Sequence, residues 1–384
     1  ALEKCGIVMG TLGMFVPEYV SMFDALVKAK IETNVNSLLD EAEYVFKNSR
    51  YDERISKDKC YVDTDNLQTI VDFFGLGKVT LSMSAACSTP LYAIKLACLY
   101  LKTHKADMMV VGANCENESV SDVCGIFDLL SILTEKGHCN PLNKNSEGLI
   151  ISSGAGAVVL KRLDDAIRDK DNILAVIDSI GWSNDGGVKS LLAPCMDGQI
   201  ACYRDAYRDG IDDDIDYIEC HSTGTAAGDI EEYRSISSYF YERGKHPLIG
   251  TLKGNTGHFL TASAMGAIVK VIMAMQHSII PKTIRVDAPI GEEVVIENIP
   301  WPNKGREKRA AVNAFGFGGI NAHLVLSEYK NEGTRNVVED NSDDETIVIV
   351  GMDLKIGKLQ NKEQLFEALL NEKTVIEERV GNRF

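Results

Sequence analysis

The chain has 384 residues, 45% hydrophobic and 25% charged, with a formal net charge of −16 at pH 7. That describes a globular protein with room for a substantial core and more than one structural unit. The acidic balance argues against nucleic acid or an anionic membrane as main partner, since either needs a concentrated basic face and no basic block is visible. The chain has no uncharged apolar run of about 18 residues and no signal-peptide pattern at its start, so no membrane span is expected and the expected location is the cytosol.

CGIVMGTLGMF (5–15) reads as a buried strand entering a glycine turn, almost at the start of the chain. A helical stretch near 19–30, a polar region to about 64 and a helix leading to FFGLGK follow. Strand VTLSMS (79–84) stops at Ala85 and Ala86, after which Leu91, Ile94, Cys98 and Leu101 recur at helical spacing. Pro90 suits the first helical turn, so Cys87 lies at a strand-to-helix elbow. Strands follow at 107–114 and 154–163. A second series opens on ILAVIDSIGWSN and continues as helix 198–209, strand 217–222, helix 229–243, strand PLIGTLKG, helix 261–277 and strands near 309–314 and 323–329. Strands alternating with helices twice over predict an α/β protein of two similar halves, 1–165 and 166–330. Residues 331–345 are polar and read as a linker, and 346–384 as the start of another domain.

The ten cysteines are scattered with no CxxC pair, which argues against structural zinc. All except Cys87 read as reduced core thiols. Taken alone, Cys87 too reads as a buried thiol sooner than as a nucleophile. Its elbow nevertheless offers helix N-terminal N–H groups that favour thiolate. His221 opens into Ser222, Thr223, Gly224 and Thr225, small residues that let a ligand approach the backbone, and reads equally as a turn cap. His258 follows Lys253, Gly254, Asn255, Thr256 and Gly257, a loop that does not fit a Walker phosphate loop. AFGFGGINAH (314–323) reads as a tight turn between strands, or as a loop aiming backbone N–H groups at an oxyanion.

Together, SAACSTP, ECHSTGTAAGD, LKGNTGH and AFGFGGINAH resemble, in order, the motifs of the ketosynthase family of the thiolase superfamily over about residues 5–330. The resemblance implies a five-layered αβαβα fold lacking its first strand and following helices, with active sites close to a dimer interface. It makes Cys87 the acyl-accepting nucleophile and His221 and His258 the pair that stabilises the enolate formed when a malonyl thioester loses carbon dioxide. Lys253 would set the charge and position of His258. Backbone N–H groups of Cys87 and Phe317 would form the oxyanion hole, with Phe315 and Phe317 at the gate. Thr223 and Thr225 would bind the phosphopantetheine arm of an acyl carrier protein, and no metal or bound cofactor is expected.

Ser153 and Asn143 depart from the acidic residues usual in the family, and Pro90 replaces a commoner serine. The tail resembles the opening of a second ketosynthase-like domain, as in polyunsaturated fatty-acid synthases, where such a domain is a chain-length factor. A homodimer, or a pseudo-dimer with that domain, is therefore expected. The implied activity is β-ketoacyl synthase; the competing reading is a non-catalytic chain-length factor or scaffold. A thiolase fits less well, because thiolases commonly place a second cysteine in the late glycine-rich loop, where this chain has phenylalanine.

Overall fold

The structure, a computed structural model, describes residues 4–10, 64–77, 79–115, 124–125, 127–128, 130–186, 193–208, 210–330 and 345–376. The first half contains β1 (Cys5–Gly10), α1 (Thr64–Phe74), β2 (Thr80–Met83), α2 (Thr89–Lys102), β3 (Met108–Cys115) and β4 (Gly154–Arg162). After α3 (Leu163–Asp169) come β5 (Ala175–Asn184), α4 (Met196–Ala206), β6 (Tyr217–Glu219), α5 (Ala226–Tyr239), β7 (Leu248–Gly250), α6 (Lys253–Thr256) and α7 (Ser263–His277). The chain continues through β8 (Ile279–Ile280), β9 (Ile299–Pro300), β10 (Arg309–Gly316), β11 (Ile320–Ser327), β12 (Ile347–Ile356) and α8 (Lys362–Leu370). The helix expected near 19–30 and residues 331–344 of the linker expected at 331–345 lie outside the described residues.

Ten strands form one sheet in the order β2-β1-β3-β4-β12-β5-β11-β10-β6-β7. The order divides into two equivalent sets of five. In the first, β1 pairs parallel with β2 and β3, then β4 and β12 add antiparallel. In the second, β6 pairs parallel with β7 and β10, then β11 and β5 add antiparallel. The sets join where β12 meets β5. This is the α/β architecture of two similar halves that the strand–helix alternation predicts.

Helix α7 is apolar nearly all round, and a helix of that kind belongs inside. It touches β4 and β12 of one set and β10 of the other, while α2 touches strands of both, so these helices form the layer between the half-sheets. Leu260–His277 is long and apolar enough to cross a membrane, but 89% of it is buried within this protein. Its apolar surface therefore serves the core. Helix α4 covers β5 and β11 and packs on α5.

In this structure residues 345–376 join the same sheet, β12 running antiparallel to both β4 and β5 in its middle. The physical reason is apolar content: Ile347, Val348, Ile349, Met352, Leu354 and Ile356 are buried there, and Leu365, Phe366 and Leu369 of α8 follow them into the core.

Candidate active site

The chain leaves β2 through Ala85 and Ala86, and Ala86 takes a left-handed conformation with φ of 49°. A non-glycine residue held there is strained and needs outside support. Ser88 supplies it, its hydroxyl donating to Ala314 O (2.7 Å) and Ile320 O (2.8 Å), which ties the elbow to the AFGFGGINAH loop. Thr89 Oγ1 accepts from Ala85 N at 2.8 Å. Gly316 closes the approach, since a Cβ there would lie 3.0 Å from Ala86 Cβ and 3.2 Å from Cys87 N. Cys87 thus sits one residue before the α2 N-cap, as the elbow reading requires.

The structure brings Cys87, His221 and His258 together. Cys87 Sγ lies 3.2 Å from His258 Nε2. The two imidazoles meet edge to face, with centroids 5.3 Å apart and planes at 86°. One side-chain atom from each of the three residues falls within 4.8 Å of the other two. His258 Nδ1 in turn lies 3.1 Å from Ser263 Oγ.

His221 is aimed by a carboxylate. Glu232, on the inner face of α5, accepts from His221 N (2.8 Å), Ser222 N (2.7 Å) and Ser222 Oγ (2.9 Å). It also accepts from Asn313 Nδ2 at 2.8 Å. Asn313 Oδ1 is therefore an acceptor, and His323 Nδ1 donates to it at 2.6 Å. His323 Nε2 is then bare and accepts a hydrogen bond from the Tyr207 hydroxyl at 2.7 Å. Burial pushes His323 down to about 3, which keeps this ring neutral.

Lys253 is buried on α6, and its Nζ donates to Cys220 O at 3.4 Å. Burial lowers its pKa, while the carboxylates of Glu219 and Glu232 oppose that shift. Burial, reinforced by the Lys253 charge, holds both His221 and His258 well below the ordinary histidine range. Lys253 therefore acts on the imidazoles through its field.

One expectation is corrected here. The elbow was expected to favour a thiolate, yet burial pushes the Cys87 thiol up to about 12 despite the opposing Lys253 charge. Removing water from a thiolate outweighs the Lys253 charge and the backbone hydrogen bond at Cys87. The resting pair is thus a neutral thiol beside a neutral imidazole.

Thr223 and Thr225 face each other with hydroxyls 3.2 Å apart, Thr225 being the N-cap of α5. The two loop phenylalanines part company. Phe315 lies against His221, with centroids 6.0 Å apart, and Phe317 meets Phe127 edge to face at 5.4 Å. At the departures, Asn143 Oδ1 accepts from Asn145 N (3.2 Å) and Ser153 O accepts from Gly357 N (3.4 Å). Sequence reasoning assigned no role to Ser263, Glu232, Glu219 or Lys270. For Glu232 a signal existed, a carboxylate on the first turns of a helix directly after the His221 turn.

Comparison with known proteins supplies what geometry alone does not. The profile described as beta-ketoacyl synthase, N-terminal domain, matches residues 68–166, which include Cys87. The corresponding C-terminal domain matches 174–287, which include both histidines and Lys253. The chain belongs to the β-ketoacyl synthase family. A third profile, the ketoacyl-synthetase C-terminal extension, matches 291–355 and so reaches into β12.

A polyunsaturated fatty acid synthase polypeptide of Thraustochytrium sp. is 33% identical over 95% of this chain and 19% of its own length. A highly reducing polyketide synthase of Didymella fabae is 35% identical over 67% of this chain and 14% of its own. The chain therefore spans about a fifth or less of these relatives. Among solved structures, the PfaC keto synthase-chain length factor matches with TM-score 0.69 and 32% identity, over 97% of this chain and 41% of that one. The ketosynthase from module 6 of the Bacillus subtilis bacillaene synthase matches with TM-score 0.66 and 25% identity, over 97% and 68%. The α/β fold is the thiolase-like fold of these synthases.

Proposed function

We propose that this chain is the condensing unit of a fatty-acid or polyketide synthase, a β-ketoacyl synthase that extends an acyl group held on Cys87 by decarboxylative Claisen condensation with malonyl-acyl carrier protein. The observation that carries the proposal is the 3.2 Å contact between Cys87 Sγ and His258 Nε2 at a strained elbow, with the His221 ring beside it.

Acyl transfer begins as Sγ attacks the thioester carbonyl and its proton passes to His258 Nε2. A neutral thiol has little nucleophilicity until an adjacent base takes that proton, so the short contact is a condition of the step. The oxyanion would be received by backbone N–H groups of Cys87 and Phe317. Collapse breaks the bond to the carrier's sulfur, which leaves as a thiol with the same proton. The malonyl thioester then loses carbon dioxide, and His221 and His258 donate to the enolate oxygen while its carbon attacks the Cys87 acyl carbonyl; collapse breaks the bond to Sγ, which leaves as a thiolate and regains its proton by way of His258 Nε2. Donors fixed in a water-poor site are worth more than in water, which gives the burial of His258 a purpose. Thr223 and Thr225 would bind the phosphopantetheine arm, and Phe315 and Phe317 would gate its tip. The carrier protein is the proposed partner, with a second condensing domain completing a homodimer or pseudo-dimer. None of these steps calls on a metal or bound cofactor.

Incubation with an acyl thioester followed by intact-mass measurement tests the reading. One acyl adduct is expected in the parent protein and none in Cys87→Ala; an undiminished adduct in Cys87→Ala refutes it. A second reading, a non-catalytic chain-length factor, is favoured by the likeness to a structure containing such a domain. Retention of Cys87, His221, His258 and Lys253 in one cluster weighs against it. Carbon dioxide release from malonyl carrier protein decides between the two.

A further inference from the structure

The His258 backbone is clamped, its N–H donating to Ile150 O (2.7 Å) and its carbonyl accepting from Ser152 N (3.0 Å). With the backbone held, the ring is set by the partners of its two nitrogens: Cys87 Sγ at Nε2 and Ser263 Oγ at Nδ1. Ser263 is the first residue of α7 and is buried, and among the described residues its hydroxyl has no other hydrogen-bond partner. A backbone N–H only donates and a carbonyl only accepts. A serine hydroxyl does either.

We propose that Ser263 is a positioning residue for His258, a two-way hydrogen-bond partner that allows Nε2 to accept a proton in acyl transfer and to donate in decarboxylation. The inference rests on the condensing reading above. In acyl transfer the Cys87 proton moves to Nε2, so the ring beforehand carries its hydrogen on Nδ1, which donates to Ser263 Oγ. The leaving carrier thiolate removes the proton from Nε2 and restores that tautomer. Donation to the enolate requires the other neutral tautomer, with hydrogen on Nε2 and Nδ1 bare; the Ser263 O–H then turns and donates to Nδ1. The change costs no net proton, one being lost at Nδ1 and one gained at Nε2. Burial keeps the resting ring neutral, so the two resting states differ in tautomer, and the ring is charged only while it holds the Cys87 proton.

Alanine at 263 keeps the helix but leaves Nδ1 without its partner in either tautomer. An unsatisfied buried group of this kind corresponds to about a tenfold loss in any step that needs it. The test is the alkylation rate of Cys87 by iodoacetamide in the full chain, mapped to the Cys87 peptide, because that reaction passes the thiol proton to His258 whatever the natural substrate. Ser263→Ala is expected to slow it about tenfold, and Ser263→Thr, which restores a hydroxyl, to stay near the parent rate. Both variants should melt within about 4 °C of the parent. Malonyl thioester decarboxylation should fall in parallel in Ser263→Ala alone. A parental alkylation rate in Ser263→Ala overturns the inference, as does equal slowing in Ser263→Thr. If the parent protein releases no carbon dioxide from malonyl thioester, the condensing reading fails, while the alkylation rates still decide whether Ser263 serves His258.

Discussion

Replacing Lys270 by Met should be among the most damaging single changes in the core. Lys270 Nζ lies 2.6 Å from Glu219 Oε2 with both side chains 0% exposed. The Tyr217 hydroxyl accepts from Lys270 (2.9 Å) and donates to Glu219 (2.6 Å), while Glu219 Oε1 accepts from Leu252 N at 2.7 Å. Lys270→Met leaves that carboxylate buried without its counter-charge, which costs about 3–5 kcal/mol. Glu219→Gln strands the ammonium instead, at a similar cost. The double variant removes both charges, and Gln Oε1 can still accept from Leu252, so it should lie within about 1 kcal/mol of the parent. A double-mutant cycle in urea therefore predicts a coupling of several kcal/mol, far beyond the additivity expected of independent sites. Trp301 fluorescence offers a local probe, its ring being 6.3 Å from that of Tyr217. Additive single effects, with a coupling under about 1 kcal/mol, would refute the reasoning. The site has a stake in the pair, since Leu252 directly precedes Lys253.

Gly316→Ala should force the elbow to shift, because the new Cβ would stand 3.1 Å from Ala85 O and 3.2 Å from Cys87 N. The expected outcome is a loss of about 1–3 kcal/mol, the usual range for overpacking, together with slower iodoacetamide alkylation of Cys87. Parental stability and reactivity would show that the loop and elbow are not in contact as described. Asp229 bears on pH dependence: burial pushes it up to about 7 even though it accepts from Leu142 N (2.8 Å), Ser146 Oγ (2.9 Å) and Gly224 N (3.1 Å). A folded pKa above the unfolded value of about 3.9 favours the protonated form. Its stabilising contribution is complete below that lower value and is lost as pH rises through about 7. The melting temperature should accordingly fall between about pH 4 and 7, and Asp229→Asn should flatten the decline. An unchanged slope in the variant would count against it.

The site was legible in the sequence where chemistry and local geometry coincide. Cys87, His221, Lys253 and His258 each announce themselves by residue type beside glycine or small residues, and their order does the rest. Ser263 carries no such mark. It stands in an apolar run that reads simply as the start of a core helix, and it becomes a partner of His258 only when the turn after α6 brings α7 under the ring. Glu219 and Lys270 are hidden for the same reason, being paired by the packing of β6 on α7 and not by spacing. The thiolate expectation failed differently. A helix end is visible in sequence, whereas the burial that dominates the Cys87 thiol is a property of the assembled fold.

The tail shows how far pattern reading reaches. The alternation in IVIVGMDLKI predicts a strand and which side chains turn inward, but it cannot name the neighbours. In the second half the strand next to the junction, β5, comes first in chain order, before β6, β7, β10 and β11; in the first half the equivalent place is filled last, by β12. The equivalence is one of position: β12 pairs antiparallel with β4 as β5 does with β11. Arriving there has a consequence for the site. Beyond α8, Asn255 Nδ2 donates to Lys373 O at 2.9 Å, and Val375 N and Thr374 Oγ1 both donate to Asn255 O at 2.9 Å. Asn255 lies midway between Lys253 and His258. The segment that reads as the beginning of something else is, in this structure, a clamp on the loop that carries two of the four residues on which the proposed chemistry depends.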